Sequence, residues 1–415
     1  MACAAVLVPA APAAAETQAC PATALAAQAL TGFEHGRRGF HVSTVMAQGS
    51  GVSYDATART GAYALKVAAN KSNSYGWFMW SEKPVPTSAT VRFALRLDQL
   101  PSANVTQLFG MDTYESPRST LRLGYDASSQ RLKLTHRSAY TNSTSTIVGG
   151  QVEAGQWYVV DLKWNTSTAL QTAEWALDGA TQGTTTVRSY RTEALYNVYL
   201  GTNAYDTFTA RYDDLVMTGT SADYPIGDGG VHALRPNATP SASSQMRDDD
   251  GTAVDASSWQ RLDDANALQA TDFVKQVTAS SSASARIEFA DTDASCIRAV
   301  RGYGWTHDQG KGTNTARLVI SDGVRETLVK DGNWSGAGSR DYSALVVPPG
   351  GWTAEAVNGL FSRFGFSTDV SPAPLLDGVM LEYEAAPEPQ PEPAATEPVA
   401  TEPVAEPAPE TTSTP

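Results

Sequence analysis

The sequence predicts an all-β protein made of two antiparallel β-sandwich domains and closed by a disordered tail. Three observations predict it. Short runs of alternating apolar and polar residues, the mark of half-buried strands, recur along most of the chain. Clusters of Gly, Asn, Asp and Ser separate these runs, with no long helical period between them. At 415 residues the chain is too long for one such sandwich, and two are the economical inference.

Taken in order, residues 1–30 read as a leader and linker. Met1 to Ala15 are apolar and small, and an Ala-x-Ala pattern precedes Glu16, as a signal peptidase would accept, although no basic residues precede the apolar run. Residues 31–222 form the first domain. Its strand runs include Ala62–Val67, Val91–Leu97, Leu121–Tyr125, Arg131–Leu134, Trp157–Trp164 and Glu174–Leu177, and Asp178-Gly179 signals a tight hairpin after the last. Residues 223–250 read as a linker, through Asp223-Tyr224-Pro225-Ile226-Gly227 and a Ser/Asp-rich stretch. Residues 251–385 form the second domain, with runs at Ala285–Phe289, Ile297–Tyr303, Thr315–Ile320, Thr327–Val329 and Val379–Tyr383. One short helix is expected at Thr353 to Phe361, where Thr353 can cap. Residues 386–415, a Pro/Glu/Thr/Ala tract with almost no bulky apolar side chain, cannot offset ordering entropy and should be disordered.

Composition removes several functions. A formal net charge of −14 argues against a nucleic-acid partner, which needs a field of Lys and Arg to release counterions. No stretch reaches the 18 apolar residues of a membrane span. The three cysteines, Cys3, Cys20 and Cys296, allow at most one bridge, Cys20 to Cys296, once the leader has left, and they exclude a thiolate metal framework.

Four stretches carry a family likeness: Thr31-Gly32-Phe33-Glu34-His35-Gly36, Ala58 to Val67, Gly155-Gln156-Trp157-Tyr158 leading to Trp164-Asn165 and Leu177-Asp178-Gly179, and Arg211 to Met217. Together they resemble the concanavalin A-like lectin/glucanase superfamily, including laminin-G-like jelly rolls and carbohydrate-binding modules. The resemblance implies jelly-roll topology over residues 31–222. Fold alone does not fix function there, since lectins, hydrolases, lyases and structural modules share it. The C-terminal half resembles uncharacterised bacterial or phage tail-associated proteins. The resemblance also implies a structural Ca2+ shared by Glu34, Asp213 and Asp214, whose hard oxygens suit that ion; the alternative is that Asp213 and Asp214 cap a strand and Glu34 lies exposed.

Sugar recognition needs flat aromatic faces beside a few hydrogen-bonding groups. The candidates are Tyr75, Trp77 and Trp80 in Tyr75-Gly76-Trp77-Phe78-Met79-Trp80, Tyr114 and Tyr140 near loops, and Trp305 and Trp334 in stretches that read as Gly-rich loops. Trp157, Trp164 and Trp175 lie in apolar runs and read as core. No E-x-D-x-E carboxylate array and no G-x-S-x-G nucleophile elbow occurs, so no catalytic residue is assigned. His136, Arg137 and Tyr140 sit close together as a lyase would require, but alternation splits adjacent residues across the two faces of a strand.

The leading expectation is a non-catalytic, secreted or surface-displayed protein that binds a polysaccharide or cell-surface glycan. The alternative is a phage tail or virion component whose partners are other surface proteins, and the third reading is a polysaccharide lyase or hydrolase.

Overall fold

A computed structural model describes residues 24–386, apart from 26, 35–50, 72–73, 80–85, 203–205, 263–271, 309–314, 332–338, 346, 349–350 and 372. Residues 1–23 of the expected leader and linker, with Cys3 and Cys20, and also Trp80, Trp334 and the tail beyond 386, lie outside the described residues, while Ala27 to Leu30, expected within that leader and linker, belong to a strand. What is described is all-β, as the alternation predicts.

The first sandwich comprises β1 (Ala27–Thr31), β2 (Val52–Asp55), β3 (Ala64–Asn70), β4 (Ser74–Met79), β5 (Ser88–Leu97), β6 (Val105–Thr113), β7 (Thr120–Asp126), β8 (Arg131–Arg137), β9 (Thr144–Gln151), β10 (Trp157–Asn165), β11 (Leu170–Leu177), β12 (Ala180–Arg188), β13 (Leu195–Thr202) and β14 (Thr207–Thr218). One sheet runs β12-β11-β10-β5-β14-β3-β2 with β1 also on β14, and the facing sheet runs β4-β13-β6-β7-β8-β9. Every other residue points into the space between them. Phe93 of β5 stacks on Phe109 of β6 at 4.7 Å, and Trp164 and Trp175 are fully buried. Trp157, expected in the core, is instead half-buried at the start of β10, because the alternation that turns Tyr158 inward leaves it outside. The β11–β12 turn has positive φ at both Asp178 and Gly179, as a two-residue hairpin requires.

The second sandwich comprises β15 (Gly230–Leu234), β16 (Pro236–Ala242), β17 (Met246–Asp248), β18 (Val274–Gln276), β19 (Ser284–Phe289), β20 (Ile297–Asp308), β21 (Arg317–Ser321), β22 (Glu326–Asp331), β23 (Ser339–Ala344), β24 (Phe361–Gly365) and β25 (Pro374–Ala385). Its sheets run β17-β18-β25-β20-β23, with β15 also on β25, and β16-β19-β24-β21-β22. The short helix α1 (Ala354–Asn358) forms where expected, and the Thr353 hydroxyl accepts from the Ala356 N–H at 3.1 Å. Residues 223–250, expected as linker, carry β15, β16 and β17. Their polar composition reflects short strands with little inward-facing surface.

The two sandwiches are welded through the outer face of the first domain's larger sheet. Arg92 on β5 pairs with Glu384 on β25 at 2.8 Å, and Arg298 on β20 donates to the same carboxylate from Nε at 2.6 Å, all three being buried. Asp161 on β10 accepts from the Ile226 N–H at 3.0 Å. Around these charges lies an apolar cluster of Leu25, Ala27, Leu30, Val216, Ile226, Val231 and Ala299. Cys296 is disulfide-bonded at the start of β20. With that face covered, the open face of the first sandwich is the outer side of its six-stranded sheet.

Candidate functional site

On the six-stranded sheet, inward Phe109, Met111, Val198, Leu200, Leu121 and Leu123 fix the parity, so their neighbours Gly110, Asp112, Asn197, Tyr199 and Arg122 face outward. Register places them in rows. Tyr199, Gly110, Arg122, Thr135 and Thr146 follow one another across β13, β6, β7, β8 and β9, and Asn197, Asp112 and Thr120 form the row beside it. Outward residues of a sheet with no second layer should be wet. Here Asp112 is only 8% exposed and Asn197 only 1%.

Side chains packed over one another sink these groups. The Tyr199 hydroxyl donates to Asp112 Oδ2 at 3.0 Å and accepts from Asn197 Nδ2 at 3.0 Å. Tyr75 stands edge-on to Tyr199 with centroids 5.3 Å apart. Gln107 donates from Nε2 to the Gly201 carbonyl at 3.1 Å and folds over Gly110, where an added Cβ would meet its side chain at 3.0 Å. Glycine at that place, between Tyr199 and Arg122 in the row, makes room for the Gln107 side chain. At the rim of this face Tyr114, 62% exposed, stands edge-on to Tyr196 at 5.0 Å, and the Arg118 guanidinium lies 5.2 Å above the Tyr196 ring and 3.6 Å from Asp112.

Burial and neighbouring charges set the protonation of the Asp112 and Tyr199 pair. Burial raises the Asp112 carboxyl, while the Tyr199 hydroxyl, Arg118 and Arg122 pull it down. Burial and the neighbouring Asp112 hold the Tyr199 phenol well above its ordinary range, so it stays a hydrogen-bond donor.

Of the residues expected from sequence, Tyr75 and Tyr114 join this site, and Trp77 is the register partner of Tyr199, its side chain lying outside the described residues. Tyr140 does not join it: the ring lies 4.3 Å under the Arg191 guanidinium, near the β8–β9 turn. Trp305 is corrected in its position. It belongs to strand β20, is 7% exposed, and packs with Tyr303 and Met380. The glycines around it are packing glycines, since a Cβ on Gly304 would collide with Leu318 of the facing sheet and one on Gly302 with Ile320. His136 points into the core against Trp164 while Arg137 is exposed, as alternation requires. Sequence reasoning missed Asp112, Asn197, Tyr199 and Arg122. Each alternates with core residues in an ordinary strand, and only the pairing of β13 with β6 and β7 brings them together.

Glu34, Asp213 and Asp214 also come together, at the domain junction. Glu34 accepts from the Ala62 N–H at 2.8 Å, and Asp213 from the Arg59 N–H at 2.8 Å and the Asp214 N–H at 2.8 Å. Asp214 accepts from Arg59 Nη1 at 2.7 Å, the Thr60 hydroxyl at 3.1 Å and the Val231 N–H at 2.7 Å. Among the described residues no group of three or more His, Cys, Asp or Glu is arranged to hold a metal ion. Carboxylates engaged by N–H and O–H donors, one of them a guanidinium, do not fit the oxygen cage of calcium. Burial raises Glu34 to about 7, and burial with the adjacent Asp214 charge raises Asp213. Beside them a cleft of about 440 Å³ opens between the sandwiches, lined by Arg59, Thr60, Asp228, His232, Asp293 and Ser295 among others. Its main cation, Arg59, is already bound to Asp214, Asp228 and the Gly229 carbonyl. The cleft therefore reads as part of the weld.

No family model and no curated protein matches the sequence. Among solved structures, the cellulose-induced protein Cip1 is similar at 21% identity and a TM-score of 0.34, over 42% of this chain and 90% of that one. Domain 4 of AbnA, an extracellular arabinanase from Geobacillus stearothermophilus, in complex with arabinotriose, is similar at 15% identity and a TM-score of 0.32, over 47% of this chain and 96% of that one. Trypanosoma rangeli sialidase is similar at 16% identity and a TM-score of 0.30, over 42% of this chain. The chain spans 30% of that sialidase's length.

Proposed function

We propose that the protein is a non-catalytic glycan-binding protein, exported or surface-displayed, whose binding surface is the outer face of the six-stranded sheet of the first domain. The observation that supports this reading is the hydrogen-bonded chain of Asn197, Tyr199 and Asp112 sunk in that face, with Tyr75 beside it and Tyr114 and Tyr196 at its rim. A carboxylate, an amide and a phenol match the dense hydroxyls of a sugar, and the rim rings offer faces for its C–H surfaces. The second sandwich, covering the opposite face, serves as a rigid base.

The test is retention of the full chain on a panel of neutral and charged polysaccharides in affinity electrophoresis. Binding to at least one is expected. The variant Tyr199→Phe keeps the ring and removes the hydroxyl link, and should weaken binding by about 1 kcal/mol, roughly fivefold. Should no polysaccharide slow the wild-type chain, or should Y199F and D112N bind as it does, the proposed site is wrong.

A further inference from the structure

We infer that the glycan taken by this face is a polyuronate, with Arg122 as the residue that reads its carboxylate. The inference rests on the binding reading above and adds the substrate class. Arg122 stands near the middle of the sheet, paired in register with Gly110 on one side and Thr135 on the other. Its Nε is buried without a hydrogen-bond partner, and among the described residues its guanidinium enters no ion pair. Arg122 is otherwise half-buried, its charge shared with nearby Asp112, and a planar carboxylate arriving from solvent supplies two parallel acceptors, one of them for the unpartnered Nε.

The surroundings carry the same sign. Arg118, Arg122, Arg131, Lys133 and Arg137 lie on or at the rim of this face, against Asp112, Glu115 and Asp126, and the Asp126 carboxylate is taken up by Ser128 and Ser129. In a chain with 44 acidic and 30 basic residues the expected ratio is the reverse. An acidic protein repels polyanions, so a local cationic face selects for them only where they dock correctly. Neighbouring strands are about 4.8 Å apart. Arg122 on β7 and Lys133 on β8 lie on the same outer face of these adjacent strands, Lys133 opposite Gly124 and so diagonal to Arg122. A nucleic acid would bring the same charge, but the hydroxyl-matching floor of Asp112, Asn197 and Tyr199 favours a sugar chain.

The experiment compares the full chain on polygalacturonate, on its fully methyl-esterified form, on dextran and on a single-stranded DNA oligonucleotide. Polygalacturonate should bind at least about tenfold more tightly than its ester, with affinity falling as NaCl rises, and Arg122→Gln should remove about tenfold of that preference. The wild-type comparison of acid with ester needs no variant, so a folding defect in R122Q cannot mask the answer. Equal binding of acid and ester overturns the uronate inference and leaves the glycan site standing. Equal retention of the DNA overturns it too, and no retention on any polysaccharide overturns both.

Discussion

His136 shows how one buried side chain sets a pH response. It lies in the core of the first sandwich, where Trp164 Nε1 donates to its Nε2 at 3.1 Å and its Nδ1 lies 3.0 Å from the Thr185 hydroxyl. Burial pushes the imidazole down to about 4. An unfolded histidine takes its proton near 6.5, so between these values the unfolded chain holds more protons and acid favours unfolding. The stability present above pH 6.5 is lost as pH falls toward 4, by an amount on the order of 3 kcal/mol. Urea unfolding of wild type and His136→Gln across that window should show a steeper loss in the wild type. Parallel profiles would contradict the assignment. The residue's identity is plain in the sequence; its depth follows from the parity of β8, which alternation correctly gave.

At the scale of the element, β14 has a bulge between Asp213 and Val216, and Asp214 within it takes a left-handed conformation with φ of 51°. Asparagine and aspartate tolerate that geometry better than other non-glycine residues. The kink turns the Asp214 carboxylate to Arg59, Thr60 and the Val231 N–H, tying the end of the first sandwich to β15. Asp214→Asn should keep the backbone and lose the charge, whereas Asp214→Ala loses both the acceptors and the tolerance. Thermal denaturation should rank them wild type, D214N, D214A, with about 1–3 kcal/mol lost in the last. If D214A matches D214N, backbone strain plays no part. The pair Asp213-Asp214 is conspicuous in the sequence, and its membership of the closing strand was legible there. That Asp214 faces a guanidinium was not, because Arg59 lies more than a hundred residues away along the chain.

For the whole molecule, Glu384 decides whether two sandwiches behave as one body. It is fully buried between Arg92 of the first domain and Arg298 of the second. Removing one partner of a buried ion pair strands the others and costs about 3–5 kcal/mol. Glu384→Ala should therefore split the calorimetric unfolding into two transitions, one for each sandwich. A single transition at the wild-type temperature would show that the apolar cluster around Ile226 and Val231 holds the domains together by itself.

What the sequence determined by itself was local. A period of two in runs such as Val91–Leu97, turn residues such as Asp178-Gly179 and the cap at Thr353 each act over a few residues, and each formed as the pattern dictates. Tertiary structure decided which outward positions became neighbours. Tyr199, Asp112 and Arg122 meet because β13, β6 and β7 are laid side by side, and Trp305 is packed away because it meets Tyr303 and Met380 on the face of β20 opposite Gly302 and Gly304. The physical reason is that alternation specifies the side of a strand on which a residue lies, while register between strands remote in sequence depends on the packing of the whole sheet.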